Sequence, residues 1–541
     1  MSENKGIIEQ FIHELDYPIF GIGVVVAAIG IATMVLWQKA SGEFMSSVNS
    51  FLWNNFAWAY LAIVLFLVLF IIYLILGPWG RVKLGREDED PEYSFKAYFA
   101  MLYSAGMASG VVFYGPSETL YHYQTPSPFF GPEALTAAAE APAMIMTFFH
   151  WGISAWTVYL ATALPIAFYC YRHGAPMRIS TIMAPWVGLD NLDSLKAKTL
   201  DILAVLGTIG GVATTLGLIG TQFLTGLDYV FGIELGDLGT IIVITGLTIA
   251  FTTSVALGVN RGIRRISHFN MVLFFVLMVS VFVLGPTAYI FNLGAEAMGG
   301  YVNHFLELSM YTNIANAEPT WWVGSWTIFY WAWWMSWAPF VGLFVARISR
   351  GRTIWEVAFT GVFAATGATM PWFLALGGSA MFMQKTGGAD ILATMGEYGI
   401  PGAGFRLFEA FPAGTILMTM FMVLITTFFI TSADSSTLSL AMLTTGGKER
   451  PSTINRIVWG GLMGAIASML MVIGGVSAVK SAAIILGTPF MIVIVIGIWS
   501  LTKTLRHQHS VFTSPSSDLA IPTTPSRGMP ADDEAVPTDD D

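Results

Sequence analysis

Twelve runs of about twenty mainly apolar residues occupy most of this 541-residue chain. That is the length a helix needs to cross a hydrocarbon core about 30 Å thick. They lie near 17–38, 55–78, 97–123, 144–171, 199–226, 238–258, 267–292, 322–346, 355–382, 413–440, 455–475 and 480–502. Barrel strands would be about ten residues long and alternating, so these spans read as helices. Charged residues make up only 11% and apolar ones 55%, too little polarity to clothe a soluble enzyme, where about 25% is charged. The one cysteine, Cys170, excludes a disulfide framework and a Cys-rich metal site. A net charge of −10 is the wrong sign for a nucleic-acid partner.

Lysine and arginine gather in cytoplasmic loops. Assigning alternate loops to opposite sides puts 21 of the 25 basic residues on one side; Lys39, Lys385, Arg406 and Lys480 are the other four. Both termini then face the cytoplasm of a cell membrane. Residues 1–16 hold four acids and one lysine, the wrong flank for a cleaved signal.

The expected plan is a cytoplasmic segment (1–16), two helices and a loop (17–96), five spans (97–292), an outer amphipathic helix (293–321), five more spans (322–502) and a disordered acidic tail (503–541).

Two spans carry helix breakers. The third reads Tyr103-Ser104-Ala105-Gly106-Met107-Ala108-Ser109-Gly110, then Gly115-Pro116-Ser117-Glu118. The eighth reads Ser336-Trp337-Ala338-Pro339-Phe340-Val341-Gly342. Interrupted spans mark transport sites, because carbonyls freed in a membrane must line a cavity or bind something. Close packing of small residues is the alternative. The two breaks lie five spans apart, which suggests two five-helix repeats whose first helices are broken.

The fourth span contains Trp151, Trp156 and Tyr159, which share one face at 100° per residue. The eighth carries Trp326, Tyr330, Trp333, Trp334 and Trp337. Membrane tryptophans usually form belts at span ends, but Trp333–Trp337 lie mid-span. Rings in a dry site attract a quaternary ammonium by about 0.5–2 kcal/mol each. A cage, ordinary packing and a belt all remain open on residue chemistry alone.

Trp331-Ala332-Trp333-Trp334-Met335-Ser336-Trp337-Ala338-Pro339-Phe340-Val341-Gly342, continuing to Ala346-Arg347-Ile348-Ser349-Arg350-Gly351-Arg352-Thr353, resembles the signature of the betaine/choline/carnitine transporter family. The His150-Trp151-Gly152 motif with Trp156 and Tyr159, the Gly-rich third span and Thr431-Ser432-Ala433-Asp434-Ser435 match as well. The resemblance spans roughly residues 15–505. It implies an all-α integral membrane protein with twelve transmembrane helices. Its five-plus-five inverted repeat would be of the amino-acid/sodium symporter type, preceded by two extra helices. It further implies a homotrimer, alternating access, and sodium-coupled uptake of glycine betaine or a related solute such as choline, carnitine or ectoine for osmoprotection.

The family's substrate box maps onto Trp151, Trp156, Tyr159 and Trp334, with Trp333 and Trp337 beside it. A substrate carboxylate would meet backbone amides near Met107, Ala108 and Ser109 of an unwound third span. One sodium would sit between carbonyls near Ser104 and Met107 and the hydroxyls of Thr431 and Ser432, a second near Thr214 and Thr215. Local back-bonding is the other reading of Thr431 and Ser432. Proton-driven relatives have an Asp where this chain has Gly110, and Ala108 departs from a usual glycine. Arg347 and Asp434 would pair as an inner gate, or form a static packing pair. No cofactor beyond the coupling ion is expected, and no enzyme chemistry, since His122, His150 and His304 show no paired His/Glu spacing.

Overall fold

The computed structural model describes residues 7–256, 260–314, 321–448 and 450–513. Among them all regular structure is helical, apart from one isolated antiparallel bridge, Lys83–Thr353. Among the described residues, eight helical stretches are long and apolar enough to cross a membrane, or nine if one bent pair counts as a span. Several of the twelve expected segments have fused or broken. The last two form one stretch, Thr453–Arg506. Its 54 residues are not one straight helix: Gly474 and Gly475 are non-helical, next to the boundary expected between the two spans.

The first helices are α1 (Ile7–Glu14), α2 (Tyr17–Leu36) and α3 (Gln38–Leu76). The third begins well before the expected residue 55, with a polar first third. Helix α4 (Phe95–Tyr114) starts at Ser94, whose side chain accepts from the Ala97 amide. It runs unbroken through Gly106 and Gly110. The interruption falls at Gly115–Ser117, before α5 (Glu118–Gln124). The expected unwinding at Met107–Ser109 is therefore corrected: those amides belong to a continuous helix. Their side chains lie outside the described residues.

The fourth span is also two helices, α6 (Ala137–Trp151) and α7 (Ile153–His173), parted by non-helical Gly152 (φ −86°, ψ −139°). A methyl at Gly152 would come within 2.5 Å of the Phe148 carbonyl and 2.7 Å of the Tyr301 hydroxyl. Next come α8 (Leu195–Phe231), α9 (Asp237–Ala256), α10 (Asn260–Leu284) and α11 (Thr287–Ser309). Residues His268–Leu284 and α11 bend by 107°. The amphipathic helix expected at 293–321 thus begins at Thr287 and ends at Ser309. Its Leu293, Ala297 and Tyr301 are buried, while Val302 and Leu306 are open.

The second half opens with a wide π-helical turn, Gly324–Ile328, leading into α12 (Phe329–Ile348). Pro339 lies inside α12 without breaking it, so the irregularity of this span is at 324–328, not at the expected 336–342. A second π turn, Thr360–Ala365, precedes α13 (Thr366–Thr386). Short helices α14 (Ile391–Tyr398) and α15 (Gly402–Glu409) are followed by α16 (Gly414–Leu443), α17 (Thr453–Gly487) and α18 (Phe490–Thr513). Helix α17 is kinked at Gly474 and Gly475, the latter at φ +54°, a conformation open to glycine at little cost. The tail expected from 503 is helical as far as Thr513, and residues 514–541 lie outside the described residues.

The core is a contact of both halves: α7 packs on α12, α8 on α17, and α12 on α8 and α17. Two straps tie distant segments to it. Glu14 is buried and accepts from the Ser452 amide at 2.9 Å and from its hydroxyl, at the start of α17. Asp16 pairs with Lys198 at 2.6 Å. On the loop after α3, the Leu84 and Gly351 backbones bond across to Arg352 and Leu84 (2.7 and 2.8 Å), and Glu89 takes the Arg350 guanidinium at 2.5 Å. Burial would raise the Glu89 pKa, but the Arg86 amide and the Arg350 charge outweigh it and hold the carboxyl below its usual value.

Candidate functional site

Four of the expected rings form a chain of edge-to-face contacts. Trp151 meets Trp334 (5.0 Å between centroids, 71°), Trp334 meets Tyr159 (6.2 Å, 82°), and Tyr159 meets Trp156 (5.9 Å, 90°). Each is at most 1% exposed. Ring contacts at these distances add to burial through the aromatic quadrupole. Trp333 stacks on Trp334 at 5.0 Å and touches Trp151 at 6.2 Å. Trp337 contacts Trp333 but donates its N–H to the Gly211 carbonyl (3.1 Å), which turns it toward α8 and away from the four-ring chain.

Trp151 does not share one helical arc with Trp156, because Gly152 interrupts the helix between them. Convergence has another cause. The end of α6 at Gly152 leaves the His150 carbonyl free of a helical partner, and Trp334 donates its N–H there at 3.3 Å. That bond fastens the α12 ring to the α6 terminus.

The glycines of α4 serve this cluster. A methyl at Gly106 would come within 2.8 Å of the Trp156 ring. One at Gly110 would come within 2.8 Å of both Trp151 and Trp333. These residues allow close approach rather than helix breaking. Around the rings, the N–H groups of Trp156 and Trp333 and the Tyr159 hydroxyl meet no hydrogen-bond partner among the described residues. Buried polar groups are rarely left so, and three such groups beside four rings can serve a ligand with one polar and one apolar cationic end.

Behind Trp151 lies a carboxylate that sequence reasoning missed. Glu118, fully buried on α5, accepts from Trp151 Nε1 (2.6 Å), His150 Nδ1 (2.8 Å), His122 Nε2 (3.4 Å) and the Tyr330 hydroxyl. Thr327 bonds the other His150 nitrogen at 3.1 Å. The expectation that no histidine has a paired acid is corrected: Glu118 and His122 stand four apart on one helix, a visible signal, and His304 pairs with Glu307 on α11 at 2.9 Å. Ligand atoms of Glu118, His122 and His150 lie within 4.8 Å of one another, close enough to hold a metal ion. Each histidine turns one ring nitrogen to the carboxylate, and donates there when the acid is ionised. Lys480 lies 4.7 and 4.2 Å from the Trp326 and Phe329 ring centroids and donates to the Ser325 carbonyl (2.9 Å), in the π turn.

The expected ion ligands fall on three helices. Thr431 on α16 is buried; its hydroxyl back-bonds to the Thr427 and Phe428 carbonyls (3.1 and 3.2 Å) and accepts from Asn270 at 3.4 Å. Ser432 is partly exposed beside it, and Ser104 is partly exposed on α4, which packs against α16. Thr214 and Thr215 are buried on α8. Thr214 contacts the Gly210 and Val479 carbonyls (2.7 and 2.8 Å), and Thr215 bonds Gly211 (3.0 Å). Hydroxyls that donate to carbonyls keep lone pairs for a hard cation. Of the expected gate residues, Asp434 pairs in this structure with Arg456 of the adjacent α17. Arg347 offers its carbonyl to the Tyr171 hydroxyl (2.8 Å).

A family model described as betaine/carnitine/choline family transporter matches residues 18–510. The glycine betaine transporter OpuD of Bacillus subtilis is 39% identical over 88% of this chain and 93% of its own length. The probable glycine betaine transporter of Desulfitobacterium hafniense is 37% identical over 88% and 95%. The ectoine/hydroxyectoine transporter of Virgibacillus pantothenticus is 35% identical over 91% and 97%.

Proposed function

This chain belongs to the betaine/carnitine/choline transporter family, and from that premise we propose that it imports glycine betaine together with sodium, by alternating access, as an osmoprotectant. The observation that carries the reading is the buried edge-to-face chain Trp151–Trp334–Tyr159–Trp156. Three or four such rings suit a trimethylammonium head at about 0.5–2 kcal/mol each, without a carboxylate in contact that would also hold lysine or arginine. The unpartnered N–H groups of Trp156 and Trp333 suit the solute's own carboxylate. In this reading Ser104, Thr431 and Ser432 contribute to one sodium site and Thr214 and Thr215 to a second. Two sodium ions supply about 4.6 kcal/mol per 100 mV, enough for over a thousandfold accumulation of a neutral zwitterion. The working form is a homotrimer in the cell membrane, with both termini cytoplasmic.

The test is uptake of labelled glycine betaine into proteoliposomes with and without an inward sodium gradient. Choline, carnitine and ectoine serve as competitors. Accumulation only with sodium, displaced weakly by the other three, is the expected result. Uptake that ignores the gradient removes the coupling, and displacement mainly by ectoine changes the solute.

A further inference from the structure

Glu118 is fully buried and grips one of the box's four rings, Trp151, through its N–H. Its two oxygens take four donors: Trp151 Nε1, His150 Nδ1, His122 Nε2 and the Tyr330 hydroxyl. Trp151 and Tyr330 can only donate to a carboxylate, and His150 donates if its other nitrogen accepts from Thr327. Four donors suit the ionised acid; a carboxyl proton would have to turn the Tyr330 hydroxyl or a histidine nitrogen into its acceptor, at the loss of one of those four bonds. In that ionised form a negative charge stands one hydrogen bond behind the Trp151 ring, at 0% exposure.

We propose that Glu118 is a specificity-determining positioning residue: its charge, delivered through the Trp151 N–H, makes the box prefer an onium group over a neutral group of the same shape. The reasoning is electrostatic. Donation to an anion polarises the indole and enriches its face, the surface a cation meets. The charge also adds a through-space attraction at low dielectric. Because Trp151 and Tyr330 cover the carboxylate, a primary ammonium or guanidinium cannot reach it for a direct ion pair, so the attraction comes without the promiscuity of an exposed acid. His150 and Tyr330 fix the carboxylate from two other helices. Glu118 itself follows directly on the Gly115–Ser117 interruption, so a movement of α5 against α4 would carry Trp151 with it.

This rests on the glycine betaine reading, and the experiment separates the two. Purified full-length protein in nanodiscs is titrated with glycine betaine and with its carbon isostere, 3,3-dimethylbutanoate, which keeps shape and carboxylate but lacks the positive charge. Wild type binds glycine betaine more tightly. In Glu118→Gln, which keeps an acceptor and loses the charge, that preference falls about tenfold, while the isostere's affinity changes little. A purely structural role would weaken both ligands alike and leave the ratio unchanged, and that result overturns the proposal. If Glu118→Gln does not fold, replacing Trp151 by 3-benzothienylalanine keeps the fused ring but removes the N–H. Its ratio falls severalfold if the link matters; an unchanged ratio again overturns the proposal. Wild type that binds neither ligand removes the functional reading first and this inference with it.

Discussion

Asp434 on α16 and Arg456 on α17 form a 2.6 Å ion pair, at 7% and 14% side-chain exposure. A pair this dry between adjacent helices behaves as a clamp whose loss leaves an uncompensated charge. Arg456→Met alone is expected to cost about 3 kcal/mol, read as a lower melting temperature of the detergent-solubilised protein. Arg456→Met with Asp434→Leu restores most of it. If the single variant melts like wild type, the clamp assignment is wrong.

Gly106 and Gly110 admit no methyl without displacing Trp156, Trp151 or Trp333. Gly110→Ala, pressed between two rings at 2.8 Å, is expected to weaken glycine betaine binding at least about tenfold while the protein still folds, because overpacking costs about 1–3 kcal/mol. Trp334→Leu, which removes a ring and its bond to the His150 carbonyl, should weaken binding as strongly. Isothermal titration in nanodiscs measures both.

Thr431 tests the ion reading. Thr431→Ala removes one hydroxyl ligand and should raise the sodium concentration for half-maximal uptake by about tenfold, one lost ligand at about 1–2 kcal/mol. Thr431→Ser keeps the hydroxyl and stays near wild type. Equal sodium dependence in Ala, Ser and wild type would place the ion elsewhere.

Glu14 closes the first turn of α17 through the Ser452 amide and hydroxyl. Glu14→Ala is expected to destabilise that turn by about 1–2 kcal/mol. Hydrogen exchange at residues 453–456 should rise while the core of α17 stays protected.

The Glu89 clamp on Arg350 is acid-labile. Its carboxyl titrates below the usual 4.5 because the Arg86 amide and the Arg350 charge outweigh partial burial. A lowered folded-state value means the contact stabilises fully above that ordinary value and is lost as pH falls through the folded-state one. Trypsin cleavage after Arg86 in samples pre-equilibrated at pH 7 and pH 3, with the loop trapped by brief crosslinking, should rise only in the acid sample. Glu89→Gln should cut alike at both.

The sequence made the helical membrane class legible because apolar run length alone decides it. It also made the ring types of the box legible. Local breaks were less readable, since glycine has two opposite uses. At Gly106 and Gly110 it admits a neighbouring ring and the helix continues; at Gly115 and Gly152 the helix ends. Pro339 was equally ambiguous, because neighbours inside a bundle can satisfy what a proline frees. The arc that joined Trp151 to Trp156 assumed an unbroken helix. Glu118 was missed for a different reason: its partners come from α5, α6 and α12, and only one of them, His122, is near in sequence.

The π turn at Gly324–Ile328 sets the phase of the whole of α12. A wide turn takes up one residue more than an α turn, and one residue rotates the downstream helix by about 100°. Trp333 and Trp334 owe their heading to that surplus residue. A deletion anywhere in 324–328 would leave the signature stretch letter-perfect yet swing its indoles out of reach of Trp151, so chains of this kind should tolerate substitutions there far better than a change in length.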